Sequence, residues 1–261
     1  MDVVIQPDAA HSAQLVADAI EGLLARRPDA VLGLATGTSP LAVYDELVRR
    51  FEAGRLSFAR ARAFTLDEYV GLAPEHPERY RNVIDAEIAG RVDFAPGAVQ
   101  GPDGLADDLP AACAAYEGAI AAAGGVDLQI LGIGTDGHIA FNEPGSSLAS
   151  RTRMKTLTDQ TRRDNARFFG GDVEAVPRHC LTQGLGTIMA ARHVVLVATG
   201  TGKAEAVHQL VEGPVSALWP ATILQHHPHV TVLLDDAAAS RLQLAGYYRQ
   251  VFAGKPAWQG L

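Results

Sequence analysis

Short runs of consecutive apolar residues, alternating with longer amphipathic stretches, constrain this chain more than any other feature. The runs are Val3–Ile5, Val31–Ala35, Ala61–Leu66, Leu128–Gly132, Val194–Ala198 and Val230–Leu234. Between them, Ser12–Arg26, Leu41–Ala53, Leu109–Ala123 and Lys203–Glu212 carry apolar residues at helical spacing. Strands that are apolar at successive positions suit burial on both faces, and strand–helix alternation of this kind builds a parallel sheet flanked by helices. The expected fold is α/β: a single domain over residues 1–261, three-layered and Rossmann-like, with a mostly parallel central sheet. No repeat, low-complexity tract or long linker interrupts the pattern. The Gly- and Pro-punctuated stretch Gly97–Gly104 reads as a surface loop.

Composition narrows the functional classes. Lys and Arg total 22 against 30 Asp and Glu, a formal charge of −8. That balance argues against a protein that grips nucleic acid or an anionic membrane by bulk electrostatics, though a small phosphate needs only a local positive site. The two cysteines, Cys113 and Cys180, are too few for a disulfide framework and too far apart for a CxxC site. The start, MDVVIQPDAAH, lacks the pattern of a signal peptide, and no run reaches the ~18 apolar residues of a membrane span. A soluble cytoplasmic enzyme is expected.

At the C-terminal ends of four of these strands the sequence turns abruptly to Gly, Thr, Asp or His. Ligands of open α/β sheets bind in the crevice at those ends, so these polar residues should converge. After the second strand comes Thr36-Gly37-Thr38-Ser39-Pro40. Ser39 is placed to cap the following helix with Pro40 at its first position, and the free amides with the helix dipole behind them suit a phosphate. A plain capped turn is the alternative. Thr199-Gly200-Thr201-Gly202-Lys203 lacks the P-loop spacing and neither loop is a GxGxxG, so a nucleotide cofactor is not expected. What remains there is a lysine in the first turn of a helix, unfavourable with the dipole unless an anion lies between them.

The densest chemistry is Gly132-Ile133-Gly134-Thr135-Asp136-Gly137-His138-Ile139-Ala140-Phe141-Asn142-Glu143-Pro144. Asp136, His138 and Glu143 place an imidazole between two carboxylates in a Gly-flanked loop, an arrangement suited to proton transfer near neutral pH. Asp67 and Glu68 directly follow another strand, and Asp67 should reach the same crevice, where a carboxylate can move a proton between neighbouring sugar carbons. The imidazoles of His226-His227-Pro228-His229 lack an accompanying acidic ligand motif, so no metal is expected.

Several stretches carry a resemblance: TGTSP at 36–40, FTLDEYVGL at 64–72, HPERY at 76–80, GTDGHIAFNEPGSSLASRTRMKTLT at 134–158, ARFF at 166–169, TGTGKA at 199–204, and the segment around Trp219–Pro228. They run in order through nearly the whole chain, which closely resembles the glucosamine-6-phosphate deaminase family. The related 6-phosphogluconolactonases share the fold and a DGH element, but the FNEP continuation points to the deaminases. The resemblance implies conversion of glucosamine 6-phosphate and water to fructose 6-phosphate and ammonia, without metal or organic cofactor. It assigns ring opening to His138, with Asp136 and Glu143 orienting and tuning it, and proton transfer from C2 to C1 to Asp67. It places the substrate phosphate on Gly37, Thr38 and Ser39, with Arg167 and Lys203 neutralising its charge. Some bacterial members are hexamers activated by N-acetylglucosamine 6-phosphate at a subunit interface. The matching residues Ser146, Arg153 and Lys155 are present, whereas Arg249 stands where the family's contributing tyrosine falls.

Two further expectations follow. The family's phosphate loop usually has a second small residue after its glycine, so Thr38 would be strained if that position needs positive φ. Between Arg151 and Arg167 lie six basic residues (Arg151, Arg153, Lys155, Arg162, Arg163, Arg167) and two acidic ones (Asp159, Asp164), a local +4 that suggests a phosphate-handling segment. The competing functions are a sugar-phosphate lactonase of the same fold and a non-catalytic sugar-phosphate sensor. A first strand beginning at Val3 leaves no space for the sensor's helix-turn-helix.

Overall fold

Each run of consecutive apolar residues forms a buried strand. The computed structural model describes residues 1–261, the side chain of residue 257 excepted. The chain begins with β1 (Asp2–Gln6), α1 (Ala9–Arg26), β2 (Val31–Leu34), α2 (Leu41–Glu52), β3 (Arg62–Thr65), β4 (Asp67–Tyr69), α3 (Tyr80–Glu87), β5 (Val99–Gln100) and α4 (Leu109–Ala122). It continues with β6 (Leu128–Leu131), β7 (Arg153–Thr156), α5 (Asp159–Asn165), β8 (His179–Thr182), α6 (Leu185–Ile188), β9 (His193–Ala198), α7 (Ala204–Glu212), β10 (Val230–Asp235) and α8 (Ala245–Ala253).

Seven strands form one sheet in the order β1-β10-β9-β6-β2-β3-β5. All its pairings are parallel. Alternate strand residues enter two separate apolar clusters: Val3 and Ile5 in one, Val4 in the other, with helices closing both faces. This is the expected three-layer architecture. Ile130, in the middle of β6, is fully buried, and truncating such a residue to alanine typically costs about 2–5 kcal/mol.

The chain runs from β2 outward through β3 to β5, then returns to the other side of β2 as β6. Strand order reverses between β2 and β6, which opens a crevice at their C-terminal ends. The two loops richest in chemistry, 36–40 and 132–138, flank that point.

A second, antiparallel sheet, β4-β8-β7, was not legible in the alternation. Its strand β7 alternates half-buried with exposed residues and carries Arg153 and Lys155, so it has no apolar run. The run Ala61–Leu66 likewise ends sooner than expected. Leu66 donates its N–H to the Leu34 carbonyl of the main sheet at 3.2 Å and accepts from the Gln183 N–H at 2.7 Å. The backbone thus changes sheets at Leu66, and Asp67 stands at the junction. The stretch read as a loop, Gly97–Gly104, contributes the two-residue edge strand β5. Among the described residues no helix is long and apolar enough to cross a membrane.

Candidate active site

A cavity of about 800 Å³ opens at the crevice, lined by four strand-end loops that lie far apart in sequence. Thr36–Ser39 follow β2, Asp67 follows β3, Gly132–Thr135 and His138 follow β6, and Thr199, Gly202 and Lys203 follow β9. The convergence inferred from strand ends is what the fold produces.

His138 sits with Nδ1 2.7 Å from Oδ1 of Asp136. The same carboxylate oxygen accepts the His138 backbone N–H at 3.2 Å. Burial pushes the Asp136 carboxyl up, but its contacts with His138 outweigh this and leave it below the ordinary range. With Nδ1 beside Asp136, Nε2 is the ring nitrogen left for a substrate. The imidazole lies against Gly134, where an added Cβ would fall 2.3 Å from its Cε1, so only glycine admits the ring.

Asp67 and Glu68 are both buried, yet they do different things. Successive residues of β4 point to opposite faces. Glu68 turns to the start of α3, where it accepts the N–H groups of Tyr80 and Arg81 at 2.9 Å, along with that of Tyr69. Asp67 faces the cavity. Burial, aided by the nearby Glu68 charge, raises its carboxyl well above the ordinary aspartate range. A carboxyl so placed is a stronger base once ionised, as a carbon-acid proton transfer needs.

The 36–40 loop lines one end of the cavity. The N–H groups of Gly37, Thr38 and Ser39 donate to no acceptor among the described residues. Gly37 takes φ +93°, whereas Thr38 is not in the left-handed region, so the turn's strain falls on the glycine and the expected cost of threonine does not arise. Ser39 does not cap α2: Pro40 occupies the cap position, and the Ser39 hydroxyl faces Gly132, where an added Cβ would lie 3.1 Å away. Lys203 closes a 3-10 turn, Thr201–Lys203, and immediately precedes α7 instead of lying in its first turn. Burial and the neighbouring Arg167 cation both lower its ammonium, offset in part by Asp164 and Asp136. Arg167 also lines the cavity, with its guanidinium 4.7 Å from the Phe168 ring centroid. Two cations sharing one pocket are relieved by an anion between them. In the loop carrying Lys203, the Gly200 N–H is held by Asp235 at 3.0 Å.

Glu143 departs from its expected place. No His138 contact holds it; its carboxylate accepts the Thr158 N–H and hydroxyl at 3.1 Å, and the Thr161 hydroxyl. It fastens the N-terminus of α5, whose residues Gln160, Thr161, Asp164 and Asn165 line the cavity. Most of the basic segment is also spoken for. Arg151 pairs with Glu117, Arg162 with the Val173 and Val176 carbonyls, and Arg163 with Gln160. Of its six cations, Arg167 alone lines the cavity.

Ser146, Arg153 and Lys155 lie outside the cavity lining. Arg153 and Lys155 occupy alternate positions of β7, hence one face, and Arg153 donates to Oδ1 of Asn142 at 2.9 Å. The Ser146 hydroxyl is buried without a partner. Two of the histidines at 226–229 serve the fold: His227 Nε2 lies 2.8 Å from the Ala191 carbonyl, and His229 stacks on His193 with centroids 3.7 Å apart. No group of three or more potential ligand side chains that could hold a metal ion occurs among the described residues.

Sequence reasoning assigned no role to Tyr80, which lines the cavity and shares a hydroxyl chain with Tyr69 and Asn165 (3.3 and 2.9 Å). Its place in HPERY was the available signal. Glu87 was also missed; it lines the cavity and is raised to about 7 by burial and by Glu78 and Asp45.

Residues 7–233 match the family model described as glucosamine-6-phosphate isomerases/6-phosphogluconolactonase. The chain is 78% identical to a glucosamine-6-phosphate deaminase of Beutenbergia cavernae and 76% to one of Mycolicibacterium smegmatis, each over 261 residues and the whole of both chains. Among solved structures, one described as a monomeric glucosamine-6-phosphate deaminase superposes with a TM-score of 0.90 at 41% identity, over 92% of this chain and all of that one. A 6-phosphogluconolactonase from Trypanosoma cruzi gives 0.72 at 20% identity, over 93% and 97%, a likeness of fold.

Proposed function

The chain belongs to the family of glucosamine-6-phosphate isomerases and 6-phosphogluconolactonases, and within it we propose a glucosamine-6-phosphate deaminase. It converts glucosamine 6-phosphate and water to fructose 6-phosphate and ammonia, with residues 1–261 acting as one catalytic domain.

The substrate phosphate sits on the Gly37, Thr38 and Ser39 amides between Lys203 and Arg167. His138 takes the proton of the C1 hydroxyl and delivers one to the ring oxygen, opening the sugar, while Asp136 steadies the charged imidazole. Asp67 then removes the C2 proton while the substrate ammonium passes one to O1, giving an enolamine, and returns the carbon proton to C1. The resulting C2 imine takes up water and releases ammonia, leaving the ketone. Glu143 acts through α5, by holding the segment that completes the pocket wall.

One observation carries this: a buried carboxyl held above the ordinary range and an imidazole–carboxylate pair face one cavity that Lys203, Arg167 and the 36–39 loop also line. A lactone hydrolysis has no use for the carbon base. Ammonia release from glucosamine 6-phosphate, coupled to a fructose 6-phosphate readout, is the test, and no turnover refutes the reading.

A cytoplasmic location belongs to the same proposal, because a phosphorylated sugar does not cross a bilayer unaided. So do a homo-hexameric state and effector binding at Ser146, Arg153 and Lys155, which rest on the resemblance; the neighbour at 41% identity is described as monomeric. A monomeric mass in light scattering, or hyperbolic kinetics unmoved by N-acetylglucosamine 6-phosphate, removes them.

A further inference from the structure

We propose that Trp219 is a positioning residue for the Asp136–His138 pair, acting through Gly137; this rests on the deaminase reading above. Trp219 is not among the residues that line the cavity. Its segment, 216–225, is instead bonded to the middle of the acid–base loop and to the residue that follows it. The Ala221 N–H donates to the Gly137 carbonyl at 2.9 Å, and the Gly145 N–H donates to the Ala217 carbonyl at 2.8 Å. Between these anchors the indole packs on Gly137, where an added Cβ would lie 2.6 Å from its Cε3. Gly137 has φ +79° and is the single residue separating Asp136 from His138. Any rotation of the backbone at 137 therefore changes how the carboxylate and the imidazole face each other.

The brace is stiff in its own right. The Thr222 hydroxyl accepts the Ser216 N–H at 2.8 Å and lies 2.7 Å from the Trp219 carbonyl, to which it donates. At its far end, Gln225 donates to the Leu210 and Gly213 carbonyls at 2.9 and 2.8 Å. Those carbonyls terminate α7, the helix that Lys203 immediately precedes. One segment thus ties the proton-transfer loop to the helix presenting the phosphate cation, and Trp219 fixes the contact at the loop end.

The experiment measures kcat, KM and thermal unfolding for Trp219→Phe, Trp219→Ala, Gly137→Ala and the Trp219→Ala/Gly137→Ala double variant. Trp219→Ala should lower kcat ~10-fold or more with KM within ~3-fold, and Trp219→Phe should recover most of the rate. Gly137→Ala should cost less rate in the Trp219→Ala background than in the parent, because part of its cost is collision with the indole. Parental kcat in a folded Trp219→Ala protein overturns the proposal, as do strictly additive effects or a rate that Trp219→Phe does not recover. Should Trp219→Ala not fold, Trp219→Leu is read by the same criteria. A parent protein that releases no ammonia defeats the deaminase reading instead.

Discussion

Gly134 lies directly under the imidazole of His138, so close that a Cβ at position 134 would fall 2.3 Å from ring Cε1 and 2.4 Å from Nδ1. The 2.7 Å approach of that Nδ1 to Asp136 depends on this missing methyl group. Gly134→Ala should therefore push the ring out of line while leaving the sheet intact. A misplacement of about 1 Å costs on the order of 10²-fold in rate. The check is kcat for ammonia release beside an unfolding curve; a variant of normal stability and normal rate would show that the ring is not held here.

Asp67→Asn removes the carbon base without changing shape, and kcat should fall by ~10²-fold or more. Burial raises the Asp67 carboxyl, so the ionised form needed for catalysis is lost at a higher pH than for an ordinary aspartate. Activity should decline on the acid side accordingly. The stability effect has the opposite sign. The folded state holds this proton more tightly than the unfolded chain, so native stability is complete below the ordinary aspartate value and falls as pH rises through the elevated one. Asparagine never ionises. The melting-temperature advantage of Asp67→Asn should therefore grow from about pH 4 upward and then level off. An advantage independent of pH would contradict the burial of an ionisable group.

Lys203→Met should act on binding. The ammonium is lowered by burial and by Arg167, a penalty that a bound phosphate cancels. Losing one charge-assisted contact of about 1.5–3 kcal/mol should raise KM by roughly 10- to 100-fold, with a smaller change in kcat. Stabilisation of the fold by added inorganic phosphate should weaken in parallel. A variant whose KM is unaltered would place the phosphate elsewhere.

Glu143→Gln leaves one acceptor oxygen where the carboxylate now serves Thr158 and Thr161. The N-terminus of α5 should loosen, so amide exchange over residues 158–168 should quicken while that of the main sheet stays slow. Activity should fall through the pocket wall. Unchanged exchange with lost activity would instead return Glu143 to a role beside His138.

The parallel sheet and its polar strand ends were legible because both are local. Strands such as Val194–Ala198 are apolar at every position since both faces are covered, and the chain must leave such a strand where the ligand crevice lies. Asp136 and His138, two residues apart between glycines, carry their geometry in their spacing. The second sheet lacked any such signal. Its strand β7 presents a half-exposed, charged pattern and is stabilised by pairing with β8, a partner more than twenty positions away.

Tertiary structure showed how two adjacent buried carboxylates are divided between cavity and scaffold. The strand end before Asp67 pointed it to the crevice, but nothing in the sequence placed Glu68; the change of sheet at Leu66 accompanies Asp67 facing the cavity and Glu68 accepting the amides of α3. It also decided that Glu143 serves Thr158 and Thr161, and that Arg167 is the member of a basic run that reaches the pocket. Composition and periodicity follow from which side of an element must be buried, and the sequence determined these. The direction of a polar side chain depends on which distant group satisfies it, and only the folded chain brings that group within reach.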